Sequence, residues 1–374
     1  MKKRLKIAMF FSSDPSTAGG VQEHILFLTK ELRKRGHKIT IFGPEKNVLP
    51  YINYRVIAKS VILPVPNGNW GNITLEKKDK IISKIIKQGG FDLIHIHEPY
   101  IPFINWEIIK DVTLPKVATF HTAWDNDSIV NFINPFISLF KEGFSKSFSG
   151  VIFVSKIAKK RWQDLCKKNV IKQVIHNAVD RSFFPIKKEK TKIVNLLYVG
   201  RIVSRKGLQY LLKAFNKIKK DLPKIKLTIL GEGPLRESLK EYVRNNSLGR
   251  LVDFKGEIIG KEKIRYYQNA DIFCAPYSDE SFALTVLEAM ACGLPIVGFK
   301  NEAFKEILKD YPYKQFLVEP KDTGELAKAL KKLIYDEKIR SVISSWSIKE
   351  SKKYSWEKVA EETEKLYFQI LKYE

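Results

Sequence analysis

Short apolar runs alternate with segments of helical periodicity along almost the whole chain. Such alternation is typical of strand–helix–strand units, whose strands pair into a parallel sheet covered by helices. One helix is predicted over VQEHILFLTKELRKRG, where Gly36 suits a C-terminal cap. The predicted strands are KIAMFF, KITIF, FDLIHIH, KVATFH, GVIFVS and KQVIH in the first half, and IVNLLYVG, KLTILG, LVDFKG, ADIFCAP, LPIVGF and QFLVEP in the second. The pattern therefore predicts an α/β protein with two Rossmann-like, doubly wound parallel sheets.

The two series of strands are separated by DRSFFPIKKEKTK, which is charged, contains proline and has no period. We interpret this segment as an inter-domain linker. Two doubly wound domains on a linker would face each other across a deep cleft at the carboxyl ends of their strands, where ligands of such sheets bind. The predicted boundaries are 1–180 for the N-terminal domain, 181–192 for the linker, 193–355 for the C-terminal domain, and 356–374 for a last helix that joins the N-terminal domain.

Length and cysteine usage indicate a soluble cytoplasmic protein. A chain of 374 residues is too long for one typical core, and no window approaches the roughly 18 apolar residues of a membrane span. MKKRLKIAMFFSSD has the charged start of a signal peptide but no small-residue cleavage site. Cys166, Cys274 and Cys292 show no metal-ligand spacing, which favours a reducing compartment.

The net charge of +25 has two interpretations. A strongly basic protein favours polyanions, such as nucleic acid, anionic lipid headgroups or phosphorylated substrates. The alternative is a lysine-rich composition that reflects genome bias or a hot habitat. A nucleic-acid-binding protein is one hypothesis, but the basic residues form no cluster interleaved with stacking aromatic residues.

The segment DESFALTVLEAM places two carboxylates around a predicted helix start. Glu280 lies just before the start, Ser281 is the predicted N-cap, and Glu288 lies about two turns inside. Free amides at a helix N-terminus suit a phosphate, and carboxylates beside them suit sugar hydroxyls, as in a sugar nucleotide. The alternative is a capping glutamate and a polar helix position. The amides predicted to face the ligand belong to Phe282, Ala283 and Leu284.

Three glycine turns strengthen the ligand-binding interpretation. VGRIVSRKG follows a predicted strand, so that Arg201 and Lys206 flank its carboxyl end and suit a diphosphate without a metal. LGEGPLR repeats the turn from a strand into glycine, where Gly231 lets a ligand approach the backbone. STAGGVQEH places Gly19 and Gly20 directly before a helix, which suits a phosphate or a sugar. A basic loop that leads into a helix is the alternative for the first of these turns.

These motifs resemble those of the retaining glycosyltransferases of family 4, which have the GT-B fold. ESFALTVLE, GRIVSRKG, GEGPLR, AGGVQEH and ATFHT occur in the family's order over nearly the whole chain. The resemblance is closer still to bacterial phosphatidylinositol mannosyltransferases, through HIHEP, VATFHT, ESFALTVLEAM, the PNG turn and the pair Arg161 and Trp162. One departure is HNAVD, in which Ala178 stands where the wider family often has a turn glycine.

The resemblance implies a role for each motif residue. Glu280 would bind the donor sugar hydroxyls, Glu288 would bind the ribose, and Arg201 and Lys206 would hold the departing diphosphate. Transfer would retain the anomeric configuration by front-face attack, without a protein nucleophile, a metal or another cofactor. The remaining implied roles are His121 over the reacting sugar, Gly19, Gly20, Gly231, Ser281, Phe282, Ala283 and Leu284 at the donor, and Asp14, Gln22 and Asn67 at the acceptor.

The subgroup resemblance implies GDP-mannose as the donor and a phosphatidylinositol-like lipid as the acceptor. Since the base is not fixed by the residues, a UDP-sugar-dependent glucosyl- or N-acetylhexosaminyltransferase stays open. A relative that binds sugar nucleotide without catalysis is a further alternative, which the presence of Glu280, Arg201, Lys206 and His121 disfavours.

Two motifs resemble metal sites. WDND contains Asp-x-Asp, but we interpret Asp127 as the cap of the next helix. His95 and His97 share one face of a strand and precede Glu98, a set that can bind zinc. A positioning or packing role is the preferred interpretation of these histidines, and we predict no metal.

The segment EKKDKIISKIIKQ is the candidate membrane contact. Its isoleucines form one stripe surrounded by lysines, as in an ordinary surface helix or in an interfacial helix on anionic lipid. Because the related mannosyltransferases carry a basic helix in this region, we predict salt-sensitive, peripheral attachment to the inner face of the cell membrane. The lysines assigned to this contact are Lys77, Lys78, Lys80 and Lys84.

Overall fold

The chain folds into two compact units. The computed structural model describes residues 3–11, 19–44, 53–58, 60–65, 69–74, 81–101, 108–109, 111–122, 147–166, 168–188, 193–219 and 224–372. The first unit comprises Met1–Asn177 with Trp356–Glu374, and the second comprises Ala178–Ser355. The predicted linker is thus counted with the second unit, where the Phe183 ring packs on Tyr267 with 5.4 Å between ring centroids.

The first unit is built on a seven-stranded parallel sheet in the order β3-β2-β1-β6-β7-β8-β9, beside an antiparallel β4-β5 pair. Its elements are β1 (Lys6–Phe10), α1 (Gly20–Lys34), β2 (Lys38–Pro44), β3 (Tyr54–Ala58), β4 (Ser60–Val65), β5 (Asn69–Thr74), α2 (Ile81–Gly89), β6 (Leu93–His97), β7 (Lys116–Phe120), β8 (Gly150–Phe153), α3 (Lys156–Trp162), a 3-10 turn (Gln163–Leu165), β9 (Ile171–Val174) and the C-terminal helix α11 (Trp356–Leu371).

The second unit is built on a six-stranded parallel sheet in the order β12-β11-β10-β13-β14-β15. Its elements are β10 (Val194–Val199), a 3-10 turn (Ser204–Lys206), α4 (Leu208–Ile218), β11 (Ile225–Leu230), α5 (Arg236–Asn245), β12 (Val252–Gly256), α6 (Gly260–Asn269), β13 (Ile272–Ala275), α7 (Leu284–Ala291), β14 (Ile296–Phe299), α8 (Glu302–Ile307), a 3-10 turn (Lys314–Phe316), β15 (Leu317–Val318), α9 (Thr323–Tyr335) and α10 (Glu337–Ser351).

Each sheet reverses its strand order once, and the reversal marks a position for a ligand. In the first unit β1 pairs with both β2 and β6, and in the second β10 pairs with both β11 and β13. In doubly wound sheets, ligands bind outside the carboxyl ends of the strands at this point. The predicted fold class of two doubly wound parallel sheets is confirmed.

The strands lie where the apolar runs predicted them because parallel strands are covered on both faces. β6 and β7 are buried along their whole length, and the rings of Phe10 and Phe42 stack with 4.9 Å between their centroids. The predicted C-terminal cap of α1 is also confirmed. Gly36 has a φ of 97°, which favours glycine, and its amide donates to the Arg33 carbonyl at 2.9 Å.

Three isoleucines of α2 contribute to the core of the first unit. Ile82 and Ile86 are buried in its hydrophobic cluster and Ile85 packs against it, whereas Lys84 is exposed. The interpretation of this stripe as a face for lipid is therefore wrong for these three residues. Within the described part of the chain, no helix combines the length and apolarity that crossing a bilayer requires.

Candidate active site

The two motifs of the second unit meet at its strand reversal. The loop after β10 carries Arg201, Arg205 and Lys206, and the loop after β13 leads to Glu280. The amide and the hydroxyl of Ser278 both donate to the Arg205 carbonyl at 2.9 Å. In return, Nη1 of Arg205 donates to the Asp279 carbonyl at 3.1 Å. These bonds fasten the cationic loop to the loop that carries the carboxylate.

The carboxylate of Glu280 is ion-paired within this loop cluster. Nζ of Lys206 contacts Oε1 of Glu280, and Nη1 of Arg205 lies 3.7 Å from the same oxygen. Nζ of Lys206 also lies 4.2 Å from the ring centroid of Tyr277, a cation–π contact. Burial lowers the pKa of Lys206, and the negative charge of Glu280 opposes this shift. Burial likewise lowers the pKa of Arg201.

Two glycines allow the backbones of these loops to touch. Gly207 has a φ of 67°, and a Cβ on it would lie 1.9 Å from the Pro276 carbonyl oxygen. Gly231 has a φ of 144°, and a Cβ on it would lie 2.0 Å from the Gly200 carbonyl oxygen. Both positions therefore require glycine, in conformation and in space. The backbone that lies against Gly231 in the structure is that of the loop after β10, in the same unit.

The helix behind Glu280 begins later than the sequence pattern indicates. We predicted a start at Ser281 with Ser281 as N-cap, but α7 begins at Leu284 and its N-cap is Ala283, with a φ of 57°. The N-cap prediction is therefore wrong. Phe282 and Ala283 are buried, and packing of these residues outweighs the local capping preference of serine. As a result, Glu288 lies one turn inside the helix.

Glu288 is bound by two side chains that the sequence analysis did not single out. Its side chain is buried, its Oε1 accepts from Nζ of Lys263 at 2.5 Å, and its Oε2 accepts from the Tyr267 hydroxyl at 2.6 Å. Lys263 and Tyr267 both lie on α6. Their spacing of four residues puts them on one helix face, a signal that is common to many helices and therefore weak.

The first unit contains four buried histidines around its strand reversal. Nδ1 of His97 lies 2.9 Å from Nε2 of His121, and Nδ1 of His24 lies 2.7 Å from Oδ1 of Asn177. His95 is held by the Tyr367 hydroxyl and the Thr119 hydroxyl, each at 2.6 Å.

These four rings are neutral at physiological pH. Burial lowers the pKa of His24 to about 4 and that of His95 to about 3. The pKa values of His97 and His121 lie well below the usual value, mainly because of burial and secondarily because of the neighbouring histidines. Neutral rings can donate at one nitrogen and accept at the other, which suits contacts with sugar hydroxyls.

Among the described residues, the three side chains whose geometry could hold a metal ion are not the set that the sequence indicated. One ring nitrogen from each of His24, His97 and His121 lies within 4.8 Å of the others. Neutral imidazoles are ligands for zinc and other transition ions. His95, which the sequence placed beside His97, is instead engaged by Tyr367 and Thr119.

Glu98 holds the loop that carries His121. It is buried and has a φ of 54°, a strained conformation for a residue other than glycine. Its carboxyl group accepts a backbone hydrogen bond from His121, and the Thr122 hydroxyl donates to its Oε2 at 3.4 Å. Burial raises the pKa of Glu98 to about 8. Nε1 of Trp162 donates to the Thr122 carbonyl at 2.6 Å, so the Arg-Trp motif supports the same loop.

The structure describes some of the remaining predicted site residues and not others. Gly19 is the N-cap of α1, Gly20 is its first residue, and a Cβ on Gly19 would lie 2.3 Å from Oε1 of Gln22. The structure thus brings together Arg201, Lys206 and Glu280 in one unit, and His121 with His97 and His24 in the other. Asp14, Asn67, Lys77, Lys78, Lys80 and the WDND segment lie outside the described residues.

Two family models and several relatives match this chain. Residues 18–183 match the model of Glycosyltransferase Family 4, and residues 179–349 match that of Glycosyl transferases group 1. Phosphatidyl-myo-inositol mannosyltransferase of Mycolicibacterium smegmatis is 27% identical, over 97% of this chain and 93% of the relative. Alpha-monoglucosyldiacylglycerol synthase of Streptococcus pneumoniae is 28% identical, over 82% of this chain and 74% of the relative.

Solved structures match over nearly the whole chain. Sucrose-phosphate synthase from Thermosynechococcus elongatus superposes with a TM-score of 0.78 at 20% identity, and covers 99% of this chain and 100% of its own. Anabaena HepE in complex with UDP-glucose gives a TM-score of 0.78 at 16% identity, with coverage of 97% and 99%.

Fold and site define a sugar-transferring enzyme built from two Rossmann-like units. The two family models together extend from residue 18 to residue 349. The chain belongs to the family 4 glycosyltransferases, which have the GT-B fold.

Proposed function

We propose that the chain transfers a hexose from a nucleotide sugar to a membrane-associated acceptor, with retention of the anomeric configuration and without a metal. The observation that carries this proposal is the pairing of Arg205 and Lys206 with Glu280 at the strand reversal of the second unit, where Arg201 is close enough to act electrostatically on Lys206. Fixed cations at this position suit a diphosphate, and the carboxylate suits the hydroxyls of the attached sugar.

In this proposal the cations stabilise the diphosphate as it leaves. Charge accumulates on the leaving phosphate while the bond to the sugar breaks, and preorganised cations in a partly buried site lower the barrier to that step. Lys206 and Arg201 are the groups assigned to this task. The acceptor hydroxyl attacks from the face of the leaving group, and a phosphate oxygen takes its proton, so no protein nucleophile is required.

The first unit supplies the acceptor side of the reaction. A neutral His121 imidazole can donate a hydrogen bond to a sugar hydroxyl from one ring nitrogen and accept one at the other. Gln22, Asp14 and Asn67 are assigned to the acceptor, and Glu288 to the ribose.

Mannose from GDP-mannose and a phosphatidylinositol-like lipid are the proposed substrates. The names of the relatives that cover nearly the whole chain support this assignment. A UDP-sugar-dependent transferase is the second candidate, because one relative is named a monoglucosyldiacylglycerol synthase and one solved neighbour contains UDP-glucose. The second candidate would act on another lipid or glycan acceptor. For the first candidate, whose acceptor is a lipid, we propose a cytoplasmic enzyme on the inner face of the membrane.

The test is the rise in melting temperature with GDP, UDP, ADP and CMP. A ligand that binds only the folded state stabilises it by about 2.7 kcal/mol at 100 times its dissociation constant. A shift with GDP alone, lost in the Arg201→Ala/Lys206→Ala variant, supports the mannosyl assignment. A shift with UDP alone selects the second candidate. The absence of any shift would contradict both.

A further inference from the structure

Glu280 forms an ion pair with Lys206, one of the cations proposed to bind the diphosphate. Lys206 is buried, and Oε1 of Glu280 contacts its ammonium group directly. Both side chains are only 11% exposed, so water contributes little to the solvation of either charge. A buried cation depends on its counter-ion, and within this unit that counter-ion is a carboxylate of the chain itself.

A phosphate that approaches Lys206 therefore meets an anion already in place. Two anions beside one cation repel each other in a desolvated site, so the carboxylate has to yield part of its contact with the ammonium. Arg205, 3.7 Å from the same oxygen, offers the carboxylate a second but more distant cation. The strength of phosphate binding then depends on what the displaced carboxylate gains.

The sugar nucleotide and the nucleoside diphosphate differ in the hydrogen bonds that they offer to the displaced carboxylate of Glu280. A sugar nucleotide brings hydroxyl donors, which can bond the displaced carboxylate of Glu280, and hydrogen bonds to a charged acceptor are among the stronger ones. A nucleoside diphosphate has no sugar at this position and leaves the carboxylate beside a phosphate with only the more distant Arg205 to compensate its charge. The same glutamate thus favours the donor and disfavours the product.

We propose that Glu280 is a specificity-determining residue that discriminates the sugar nucleotide from the free nucleoside diphosphate, by competing with the diphosphate for Lys206. This inference rests on the proposed function, because it requires a nucleotide-sugar donor. Its consequence for turnover is weak product inhibition, since loss of the sugar lets the carboxylate return to Lys206 and expel the diphosphate.

The experiment is calorimetric titration of the wild type and Glu280→Gln with a nucleoside diphosphate and the corresponding sugar nucleotide, GDP with GDP-mannose and UDP with UDP-glucose. Glutamine keeps the shape of the side chain and removes the competing charge. We expect the diphosphate to bind at least about tenfold more tightly to the variant and the sugar nucleotide to bind more weakly. Separate effects on the two ligands, opposite in sign, are the signature of competition.

Glu257→Gln is the matched control. Glu257 is exposed and acts electrostatically on Arg201, so its removal changes the field of the site without freeing Lys206. We expect its effect on both ligands to have the same sign. Glu280→Asp is the second variant. It keeps the charge but draws it back from Lys206, so we expect a smaller gain in diphosphate affinity than in Glu280→Gln. This variant tests the inference if Glu280→Gln does not fold.

The outcomes separate the two proposals. If the wild type binds a sugar nucleotide but diphosphate affinity is unchanged or lower in both Glu280 variants, the inference is overturned and the proposed function stands. If the wild type binds none of the four ligands, the proposed function fails and the inference fails with it.

Discussion

The carboxyl group of Glu98 shows how burial at one residue sets a pH dependence for the protein. Its pKa is raised from 4.5 to about 8, because desolvation disfavours the charged form more than hydrogen bonds from Tyr100, Thr122 and the His121 backbone favour it. The folded state therefore keeps a proton that the unfolded state loses between these two values. Over that range, stability falls as pH rises.

Replacement of Glu98 by glutamine removes this titration and keeps a side chain of the same shape. We expect Glu98→Gln to gain stability relative to the wild type as pH rises from 5 to 8. Melting temperatures of both proteins at the two pH values measure the effect. Glu302→Gln, at a surface residue 57% exposed, is the control and should show no such trend. Equal differences at pH 5 and pH 8 would contradict the assignment.

The hydroxyl of Tyr267 carries a second prediction at the scale of one residue. Because it donates to the buried carboxylate of Glu288, its removal leaves Oε2 without that partner. Hydrogen bonds to charged groups contribute about 1.5–3 kcal/mol, and we expect Tyr267→Phe to lower the free energy of unfolding by that amount. Urea denaturation measures it. Tyr266→Phe, one residue earlier and only partly buried, should change stability by less than about 0.5 kcal/mol.

Site residues could be predicted from the sequence where they belong to local motifs. Arg201, Lys206 and Glu280 come together because each lies in a loop that follows one of two neighbouring strands, and strand ends are predictable from apolar runs. Lys263 and Tyr267 were not identified, since their partner Glu288 lies on another helix and only tertiary packing brings them together.

At the scale of single elements, α11 is fixed to the first unit by a buried charge. Oε1 and Oε2 of Glu364 accept from Nε2 of His37 at 2.9 Å and from Nη2 of Arg35 at 2.5 Å, respectively. The Leu5 amide donates to Nδ1 of His37 at 3.1 Å, so the hydrogen of a neutral His37 must lie on Nε2, facing Glu364. Trp356 of the same helix stacks on Phe27 of α1, with 5.4 Å between ring centroids.

Removal of the Glu364 carboxylate should loosen this attachment. Glu364→Ala removes the charged acceptor of two hydrogen bonds and leaves the partly exposed Arg35 guanidinium without its partner. Hydrogen bonds to charged groups contribute about 1.5–3 kcal/mol each, and we expect a loss of about 3 kcal/mol in the free energy of unfolding. Guanidinium denaturation of the full chain measures the loss. Glu362→Ala is the control, because its ion pair with Lys358 is partly exposed and spans 4.0 Å. Similar losses in the two variants would mean that the helix is held by its apolar contacts alone.

Helices were harder to predict than strands for a physical reason. The isoleucine stripe of α2 has the same period whether it faces a core or a lipid surface, and only packing shows that Ile82 and Ile86 lie in the core. The start of α7 was misplaced because Ser281 is a good cap in isolation. The left-handed conformation of Ala283 is imposed by the surrounding structure and has no local signal.

For the whole molecule, the net charge of +25 and the burial of Ile82 and Ile86 restrict the ways in which the proposed attachment to a membrane could work. A helix whose apolar face is in the core cannot insert that face between lipids, which leaves attraction between lysines and anionic headgroups. Each lysine near the surface contributes about 1 kcal/mol at moderate salt. Screening lengths fall from about 8 Å at physiological salt to about 3 Å at 1 M, so binding of this kind is reversible by salt.

A variant with four lysines changed to serine tests whether the attachment is local or belongs to the charge of the whole molecule. The changed residues are Lys77, Lys78, Lys80 and Lys84. The control variant, with the same loss of charge on the second unit, changes Lys300, Lys305, Lys328 and Lys353. We expect sedimentation with phosphatidylserine vesicles to weaken by about a thousandfold in the first variant and far less in the second. Equal weakening would assign binding to the net charge. Binding that persists at 1 M salt would instead require an apolar contact other than Ile82, Ile85 and Ile86.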